Sequence, residues 1–321
     1  MTPDERSQGT LRYPDFICIG AQKAGTTWLD DKLRQHRDLW LPPLKEMHYF
    51  NALHVHGDAR GRTESVWRDM GRKEAVEKAI DRLARHSDRT AGAEARLATL
   101  RVIQERQLTD EWYGRIFRSA SADVKCGEIT PGYALLPETG IGHMVRLCAS
   151  VKLIFILRDP IDRAWSELRM IRKKINAQST YDEQVMRAVG NRLFLARSDY
   201  METIRRFAKF VPENRFLVQY FDDLASNPAR TLHAIYRFIG VDPVRARFGD
   251  IREATHVGEP EDLRPELHDR LKKLFRPAYR NLRALDKPIV QRWIEKHYGS
   301  TLGSGSDPFE SGELSHEGMP V

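Results

Sequence analysis

The stretch that decides the fold reads GAQKAGTT, over residues 20–27. It follows a short apolar run at residues 16–19 and precedes a helical pattern that includes Trp28 and Leu29. A strand, a glycine-bearing turn and a helix in this order bring backbone N–H groups and a helix N-terminus to one anion. The stretch therefore predicts a phosphate-binding loop after the first strand.

The loop differs from the nucleotide-binding pattern G-x-x-x-x-G-K-[ST], in which a lysine follows the second glycine and a hydroxyl binds Mg²⁺. Thr26 stands at that lysine position, and the lysine of the loop is Lys23, two residues before Gly25. This displacement argues against an ordinary ATPase or kinase and indicates that a different group is transferred.

The composition is typical of a soluble globular chain with a sizeable core: 321 residues, 41% hydrophobic and 30% charged. No run of about 18 apolar residues occurs, so no membrane span is expected. The first 13 residues lack the apolar centre of a signal peptide. Cys18, Cys126 and Cys148 lack metal-ligand spacing, which favours reduced, buried thiols in a cytoplasmic protein.

The charge balance favours anionic ligands, with a formal net charge of +7 and a pI near 9.3. The basic residues are scattered along the chain, and no nucleic-acid-binding motif is present. The charge alone does not choose among nucleic acid, a membrane surface and a small polyanionic cofactor, and the missing motifs lead us to expect no nucleic-acid partner.

Strand-like and helix-like segments alternate along the chain. Strands are predicted at 15–20, 124–127, 152–157 and 215–220, and helices at 26–36, 73–108, after Pro160, 193–210, 228–239, 265–285 and 288–298. Residues 73–108 have few large apolar side chains, which favours surface helices or, alternatively, a lid over a substrate cleft. The alternation predicts a three-layer, P-loop-like α/β fold with a central parallel sheet flanked by helices.

A second charged segment follows the strand at 152–157, whose continuous apolar character predicts burial on both faces. Arg158 comes directly after this strand, and Ser166 lies about two turns into the next helix. A guanidinium fork and a hydroxyl suit a phosphate, although Arg158 can also pair with a neighbouring aspartate. Because the carboxyl ends of parallel strands meet at one edge, Gly20 and Arg158 should line one cleft.

The two motifs together resemble the sulfotransferases that use 3′-phosphoadenosine-5′-phosphosulfate (PAPS), in particular bacterial and glycan-type members. Their 5′-phosphosulfate loop, Lys-x-Gly-Thr-Thr, is matched by residues 23–27. Their 3′-phosphate motif is an apolar strand, then Arg-(Asp/Asn)-Pro, then Arg and Ser in the helix; residues 158–160, Arg163 and Ser166 match it. The resemblance implies an enzyme that converts PAPS to 3′,5′-bisphosphoadenosine (PAP) and requires no metal.

The resemblance also implies a role for individual residues. The 5′-phosphosulfate would be held by Lys23, Ala24, Gly25, Thr26 and Thr27, the adenine by Trp28, and the 3′-phosphate by Arg158 and Ser166. Lys23 would stabilise the charge that builds on the leaving phosphate. Trp28 can instead be a core residue of its helix. The Arg-Lys-Gly segment of cytosolic members is absent, and residues near 252–264 are expected to replace it.

Residues 45–50 read KEMHYF and are expected to form a loop. They resemble the Lys-Glu-x-x-Phe-Phe-type segment of glycan sulfotransferases, in which the Glu is the general base. The resemblance implies Glu46 as the base, with Lys45 orienting it or contacting the cofactor. His48 is the alternative base, because cytosolic aryl and steroid members use a His. Glu46 can also simply pair with Lys45.

Residues 127–133 resemble a further family segment, often Gly-Glu-Lys-(Ser/Thr)-Pro, in which Ile129 here replaces the lysine. Glu128 and Tyr133 are expected either to line the acceptor cleft or to belong to a proline-stabilised turn.

The resemblance spans roughly residues 14–285 and implies one sulfotransferase domain over 14–300, with a helical insertion at about 60–120. Residues 1–13 would be an N-terminal extension and 301–321 a disordered tail. The acceptor would be a glycan or a small metabolite that offers a hydroxyl or an amine. A P-loop kinase or hydrolase and a non-catalytic nucleotide-binding protein are the alternative functions.

Overall fold

A parallel sheet forms the centre of the molecule in a computed structural model, which describes residues 11–55, 72–85, 90–174, 191–246, 262–299 and residue 302. Its strands follow the order β2-β3-β1-β4-β5, and every neighbouring pair is parallel. The strands are β1 (Phe16–Gly20), β2 (Leu39–Trp40), β3 (Lys125–Ile129), β4 (Lys152–Leu157) and β5 (Phe216–Tyr220). The predicted α/β fold with a central parallel sheet is thereby confirmed.

Helices connect and flank the strands. They are α1 (Thr26–Arg34), α2 (Tyr49–His54), α3 (Arg72–Arg85), α4 (Ala91–Glu105), α5 (Asp110–Phe117), α6 (Glu138–Leu147), α7 (Pro160–Lys174), α8 (Arg192–Ala196), α9 (Tyr200–Ala208), α10 (Phe221–Ser226), α11 (Pro228–Ile239), α12 (Pro265–Leu282) and α13 (Pro288–Tyr298). Among the helices of the described residues, none combines the length and the apolar character that crossing a membrane requires.

The two central strands that carry the predicted site are the most deeply buried. All five residues of β1 are buried, and Leu153 through Leu157 in β4 are fully inaccessible. Burial on both faces explains their continuous apolar sequence, since each face of a parallel sheet is covered by helices. Because β1 and β4 are neighbours in register from Phe16 opposite Lys152, their carboxyl ends lie side by side.

Two sequence-based expectations on local structure are wrong. The helix expected at 193–210 is two helices, because Asp199 caps a new helix: its carboxylate accepts from the Glu202 N–H at 3.2 Å. The loop expected at 45–50 ends earlier, since Tyr49 and Phe50 open α2. Both rings are buried in the core, and this tertiary packing outweighs the local polar pattern.

The predicted insertion contains α3, α4 and α5. α3 is a surface helix, as expected: most of its described side chains are exposed, although Val76 is buried. α5 is different, because Trp112, Tyr113 and Ile116 are fully buried in the core. The lid interpretation and the domain limits at 14–300 stay predictions. Residues 1–10 and 303–321 lie outside the described residues.

Candidate active site

The loop after β1 places a helix N-terminus at the edge of the sheet. Gly25 precedes α1 with a φ of 83°, and a Cβ added there would lie 3.1 Å from the Phe221 ring, so glycine is required by both conformation and space. α1 has no side-chain cap and no acidic residue in its first turn. Its first N–H groups and the positive end of its dipole are thus suited to an anion from outside the chain.

Lys23 links this loop to the helix after β4. Its backbone has a φ of 67°, and its Nζ lies 3.7 Å from the Met170 sulfur on α7. Its carbonyl accepts a hydrogen bond of 2.9 Å from Arg158 Nη1. Ser166 is half-buried and lies one turn before Met170, on the same face of α7. The structure therefore brings the two predicted phosphate segments into contact.

Arg158 is held from three sides at the end of β4. Its guanidinium lies 4.4 Å from the centroid of the Phe221 ring, and its carbonyl accepts from the Tyr200 hydroxyl at 2.8 Å. Burial lowers the pKa of Arg158 below its ordinary value, an effect that the nearby Asp162 carboxylate partly opposes. The residue remains cationic and is oriented before any ligand arrives.

Arg163, which matches the second basic position of the 3′-phosphate motif, lies in the core instead. It is fully inaccessible and donates to Glu167 Oε2 at 2.6 Å and to the Ser198 hydroxyl at 2.6 Å. Arg197 donates to the other oxygen of Glu167. These bonds satisfy the guanidinium within the protein, so its role is to fix α7 against the segment before α9.

Asp159 also acts within the fold. Its Oδ1 accepts from the Ile161 N–H at 2.9 Å and from the Tyr279 hydroxyl at 2.7 Å, and its Oδ2 pairs with His297 Nε2 at 2.9 Å. Asp159, Asp162 and His297 offer ligand atoms within 4.8 Å of one another. These hydrogen bonds make Asp159 the cap of α7 and tie it to the C-terminal helices.

The segment with the two candidate bases forms a chain of hydrogen bonds. Asn51 Nδ2 donates to the Gly132 carbonyl at 3.0 Å, so its Oδ1 accepts from His48 Nδ1 at 3.1 Å. His48 Nε2 lies 3.1 Å from Glu46 Oε2. Both ring nitrogens of His48 are thus engaged, one with Asn51 and the other with Glu46. These contacts fix the position of His48 and of the Glu46 carboxylate relative to each other.

Lys45 points at the phosphate loop. Its Nζ lies 3.0 Å from Thr27 Oγ1, 3.4 Å from Thr26 Oγ1 and 3.9 Å from Glu46 Oε1. Burial lowers the pKa of Lys45, and the Glu46 carboxylate opposes that effect. Lys45 therefore pairs with Glu46, as the sequence analysis allowed, but the distance to the Glu46 carboxylate is longer than the distances to the two hydroxyls.

Glu128 and Tyr133 do not line a cleft. Their exposed fractions are 2% and 0%, and the Tyr113 hydroxyl donates to Glu128 at 2.8 Å. Burial raises the pKa of Glu128 to about 7, although hydrogen bonds from Tyr113 and from the Met47 backbone act in the opposite direction. Of the two earlier interpretations the turn is correct, since a short 3₁₀ helix occupies Pro131–Leu135.

The sequence missed the residues that support the site from other elements. Phe221 opens α10 and contacts both Gly25 and Arg158, and Asn51 and Tyr200 fix His48 and Arg158. Nothing in the local sequence around Phe221, Asn51 or Tyr200 marks these residues as part of a site. Trp28 is half-buried against the core, and residues 252–261 lie outside the described residues.

Comparison with known proteins gives consistent matches. Residues 14–245 match the model of the Sulfotransferase family. Membrane-associated sulfotransferase kil1 of Dictyostelium discoideum is 26% identical over 160 residues, which is 49% of this chain and 23% of that protein. Carbohydrate sulfotransferase 15 of Mus musculus is 24% identical over 320 residues, 89% of this chain and 51% of that protein. The chain thus spans between about a quarter and half the length of these relatives.

Solved structures share the fold. The sulfotransferase from Alicyclobacillus acidocaldarius superposes with a TM-score of 0.61 at 21% identity, over 88% of this chain and 99% of that one. The sulfotransferase domain of the Synechococcus PCC 7002 olefin synthase gives 0.52 at 19% identity, over 87% and 97%. Since the family match includes the ends of β1 and β4 that form the cleft, the chain belongs to the sulfotransferase family.

Proposed function

We propose that this sulfotransferase moves a sulfonyl group from PAPS to a hydroxyl or amine of an acceptor. The observation that carries the proposal is the contact between Arg158 Nη1 and the Lys23 carbonyl, at 2.9 Å. It joins an anion site on the loop after β1 to a cationic site after β4. A nucleotide with phosphates at both its 5′ and 3′ positions fits two such sites at once.

The residues of the cleft fit this donor. Gly25 allows the left-handed turn of the loop and leaves room for the Phe221 ring, and the uncapped start of α1 offers N–H groups. Arg158 and Ser166 offer a guanidinium fork and a hydroxyl to the 3′-phosphate. Trp28, next to the loop, is proposed to contact the adenine.

When bound, PAPS supplies the SO₃ group: its S–O bond to the 5′-phosphate breaks as a bond from the acceptor oxygen to sulfur forms. Lys23 in the loop after β1 and Thr26 and Thr27 in the first turn of α1 are proposed to lie next to the leaving phosphate, on which negative charge builds. Donors fixed beforehand stabilise this charge without reorganisation, so they lower the barrier. In the proposed mechanism, no metal ion takes part in this step.

Glu46 is the proposed general base. It takes the proton of the attacking hydroxyl, and its Oε1 faces Lys45 and the phosphate loop while Oε2 is held by His48. Its side chain is 34% exposed, against 11% for His48, whose two ring nitrogens are both engaged. This geometry favours Glu46 as the base and His48 as the residue that orients it.

The acceptor is proposed to be a glycan or another hydroxylated metabolite. Carbohydrate sulfotransferase 15, a relative, is named for a carbohydrate acceptor, and the segment around Glu46 resembles glycan sulfotransferases. A screen of alcohols, amines and oligosaccharides with radiolabelled PAPS tests this. The cytoplasmic location also stays a prediction, which cell fractionation tests.

The donor is tested by equilibrium binding of PAP, ATP and AMP to the full chain. We expect PAP to bind about tenfold or more tighter than AMP, because a charged hydrogen-bonding partner for the 3′-phosphate contributes about 1.5–3 kcal/mol. A kinase or hydrolase would prefer ATP, and a non-catalytic nucleotide-binding protein would bind PAP but transfer no sulfonyl group from PAPS to any acceptor. Equal affinity for PAP and AMP would contradict the proposal.

A further inference from the structure

The turn after β3 supports the segment that contains the two candidate bases. The Ile129 carbonyl accepts from the Glu46 N–H at 3.1 Å, and the Gly132 carbonyl accepts from Asn51 Nδ2 at 3.0 Å. Glu46 and His48 have φ values of 61° and 55°, in the left-handed region that residues other than glycine seldom adopt. Such a backbone persists only where its surroundings hold it, so the turn helps to determine the geometry of this segment.

Gly132 is the residue of the turn that leaves space for this segment. A Cβ added to it would lie 2.8 Å from Asn51 Oδ1, and 3.1 and 3.2 Å from Cε1 and Nδ1 of His48. Gly132 does not have the left-handed φ that Gly25 has, so its backbone would accept an alanine. The space that Asn51 and His48 occupy is therefore what requires a glycine here.

The Asn51 side chain cannot give way without a loss. It is buried, with 3% exposure, and both ends of its amide are bonded: Nδ2 to the Gly132 carbonyl and Oδ1 to His48 Nδ1, at 3.0 and 3.1 Å. An alanine at 132 would break one of these bonds or push the His48 ring. Because His48 Nε2 lies 3.1 Å from Glu46 Oε2, that displacement would reach the carboxylate.

We propose that Gly132 is a positioning residue for the general base: its missing side chain lets the Asn51 amide and the His48 ring lie against the turn, and His48 then orients Glu46. This inference rests on the proposed function, in which Glu46 takes the acceptor proton. Gly132 acts through His48 and takes no part in the proton transfer. The effect on the rate is large for a small displacement, since a misplacement of about 1 Å can cost about a hundredfold.

The test compares two Gly→Ala variants in the full chain. Gly132→Ala should lower kcat about tenfold and leave the dissociation constant of PAP within about twofold, because the base moves and the nucleotide loop does not. Gly142→Ala is the matched control: a Cβ there would meet a Phe210 ring carbon at 3.3 Å, away from the base segment. Its kcat and PAP affinity should both stay within about twofold of the wild type.

A double-mutant cycle shows whether Gly132 acts through His48. Gly132→Ala is introduced into a His48→Ala protein, in which the ring that would be displaced is absent. We expect it to lower the remaining turnover by less than about twofold, because residues that act through one another are not additive. A general structural role of Gly132 would lower turnover by the same factor in both backgrounds.

The position of the ring is also measured without turnover. Nitrogen NMR of histidine-labelled protein reports the hydrogen bonds of the His48 ring, whose signals are identified by their loss in His48→Ala. These signals should shift in Gly132→Ala and stay unchanged in Gly142→Ala. Asn51→Ala leaves Gly132 in place and removes the His48 Nδ1 contact, so it should shift the same signals and lower kcat even if Gly132→Ala does not fold.

The outcomes distinguish this inference from the proposed function. Unchanged kcat and unchanged His48 signals in Gly132→Ala, or an equal loss of turnover with and without His48, would overturn the role of Gly132 while the proposed function stands. If Gly132→Ala does not fold, unchanged His48 signals in Asn51→Ala would overturn it. Wild-type protein that binds PAP no tighter than AMP would overturn the proposed function itself, and the NMR comparison would still decide whether Gly132 fixes His48.

Discussion

The helices α1 and α7 start at the carboxyl ends of neighbouring strands, yet their first turns are satisfied in opposite ways. The start of α7 is capped by Asp159, which accepts from the N–H groups of Ile161 and Asp162 at 2.9 and 3.1 Å. The start of α1 follows Gly25, without a side-chain cap or an acid in the first turn. One helix N-terminus is completed by the protein, and the other is left for a ligand.

The difference bears on how the proposed donor would be bound. At the loop after β1 the backbone and the helix dipole are available, so N–H groups would hold the 5′ end of the donor. At β4 these groups are already used by Asp159, and in the proposed function the 3′-phosphate would depend on the side chains of Arg158 and Ser166. Substitutions near the uncapped start of α1 should therefore affect ligand binding or turnover, whereas substitutions at the capped start of α7 should affect stability.

The largest effect is expected at Glu46, in the region of the uncapped start of α1. Glu46→Gln should lower turnover about a thousandfold, because a general base contributes about 10²–10⁴-fold. PAP affinity should stay close to that of the wild type. Steady-state turnover and equilibrium binding measure the two quantities. Near-full activity of Glu46→Gln would exclude Glu46 as the base. If His48→Gln lost turnover while Glu46→Gln kept it, the role of base would move to His48.

At the capped start of α7, substitutions should lower the free energy of unfolding. Asp159→Ala removes the cap of α7 and leaves the Tyr279 hydroxyl and His297 without their shared partner. We expect about 3 kcal/mol of lost stability, since a cap contributes about 1 kcal/mol and unsatisfied buried groups cost more. Urea unfolding measures this. Asp269→Ala, at an exposed position of α12, is the control. A stable Asp159→Ala protein would show that the α7 cap is dispensable.

The pH dependence of stability gives a third test, at a buried carboxyl. The pKa of Glu128 is about 7 in the folded protein, against 4.5 for an ordinary Glu. The folded state therefore binds the proton more tightly, and stability decreases as pH rises from about 4.5 to about 7, by about 3 kcal/mol. Above that range the contribution is constant.

Glu128→Gln should lack this part of the pH dependence. Urea unfolding of both proteins between pH 4.5 and 8 measures the difference. If both curves have the same slope, Glu128 does not titrate in this range, and the buried region around it is more hydrated than its 2% exposure indicates.

The smallest effect concerns the choice of nucleotide. Arg158→Met should weaken PAP binding about thirtyfold, or about 2 kcal/mol, and leave AMP binding almost unchanged, because the lost charge-assisted bonds reach only the 3′-phosphate. Isothermal titration of both nucleotides measures the ratio. An equal loss for both nucleotides would mean that Arg158 acts through the Lys23 carbonyl, and the contrast between the two regions would be weaker.

Local sequence predicted the elements that determine the fold. The apolar runs of β1 and β4, the glycine at 25 and the proline at 160 are signals within a few residues of the structures they specify. These signals depend on backbone sterics and on burial, which neighbouring residues already determine. The same holds for α11, which ends at Ile239 as predicted and is followed by Gly240 with a φ of 97°.

The roles of polar residues could not be predicted in the same way. Arg158 and Arg163 are five residues apart and chemically identical, but one lies in the cleft and the other is buried against Glu167. Glu46 and Glu128 differ similarly in exposure, at 34% and 2%. Which of them meets solvent depends on helices far away in the chain, such as α5 and α9.

The sequence by itself determined the parallel sheet, the order of its main elements and the two charged segments at strand ends, because these follow from periodicity and turn chemistry. Only the tertiary structure decided which charges are used inside the protein. Hydrogen bonds from distant elements, such as Tyr279 to Asp159 and Asn51 to His48, satisfy some polar groups and orient others. A polar group can act on a ligand only where its internal partners leave part of its bonding capacity unused.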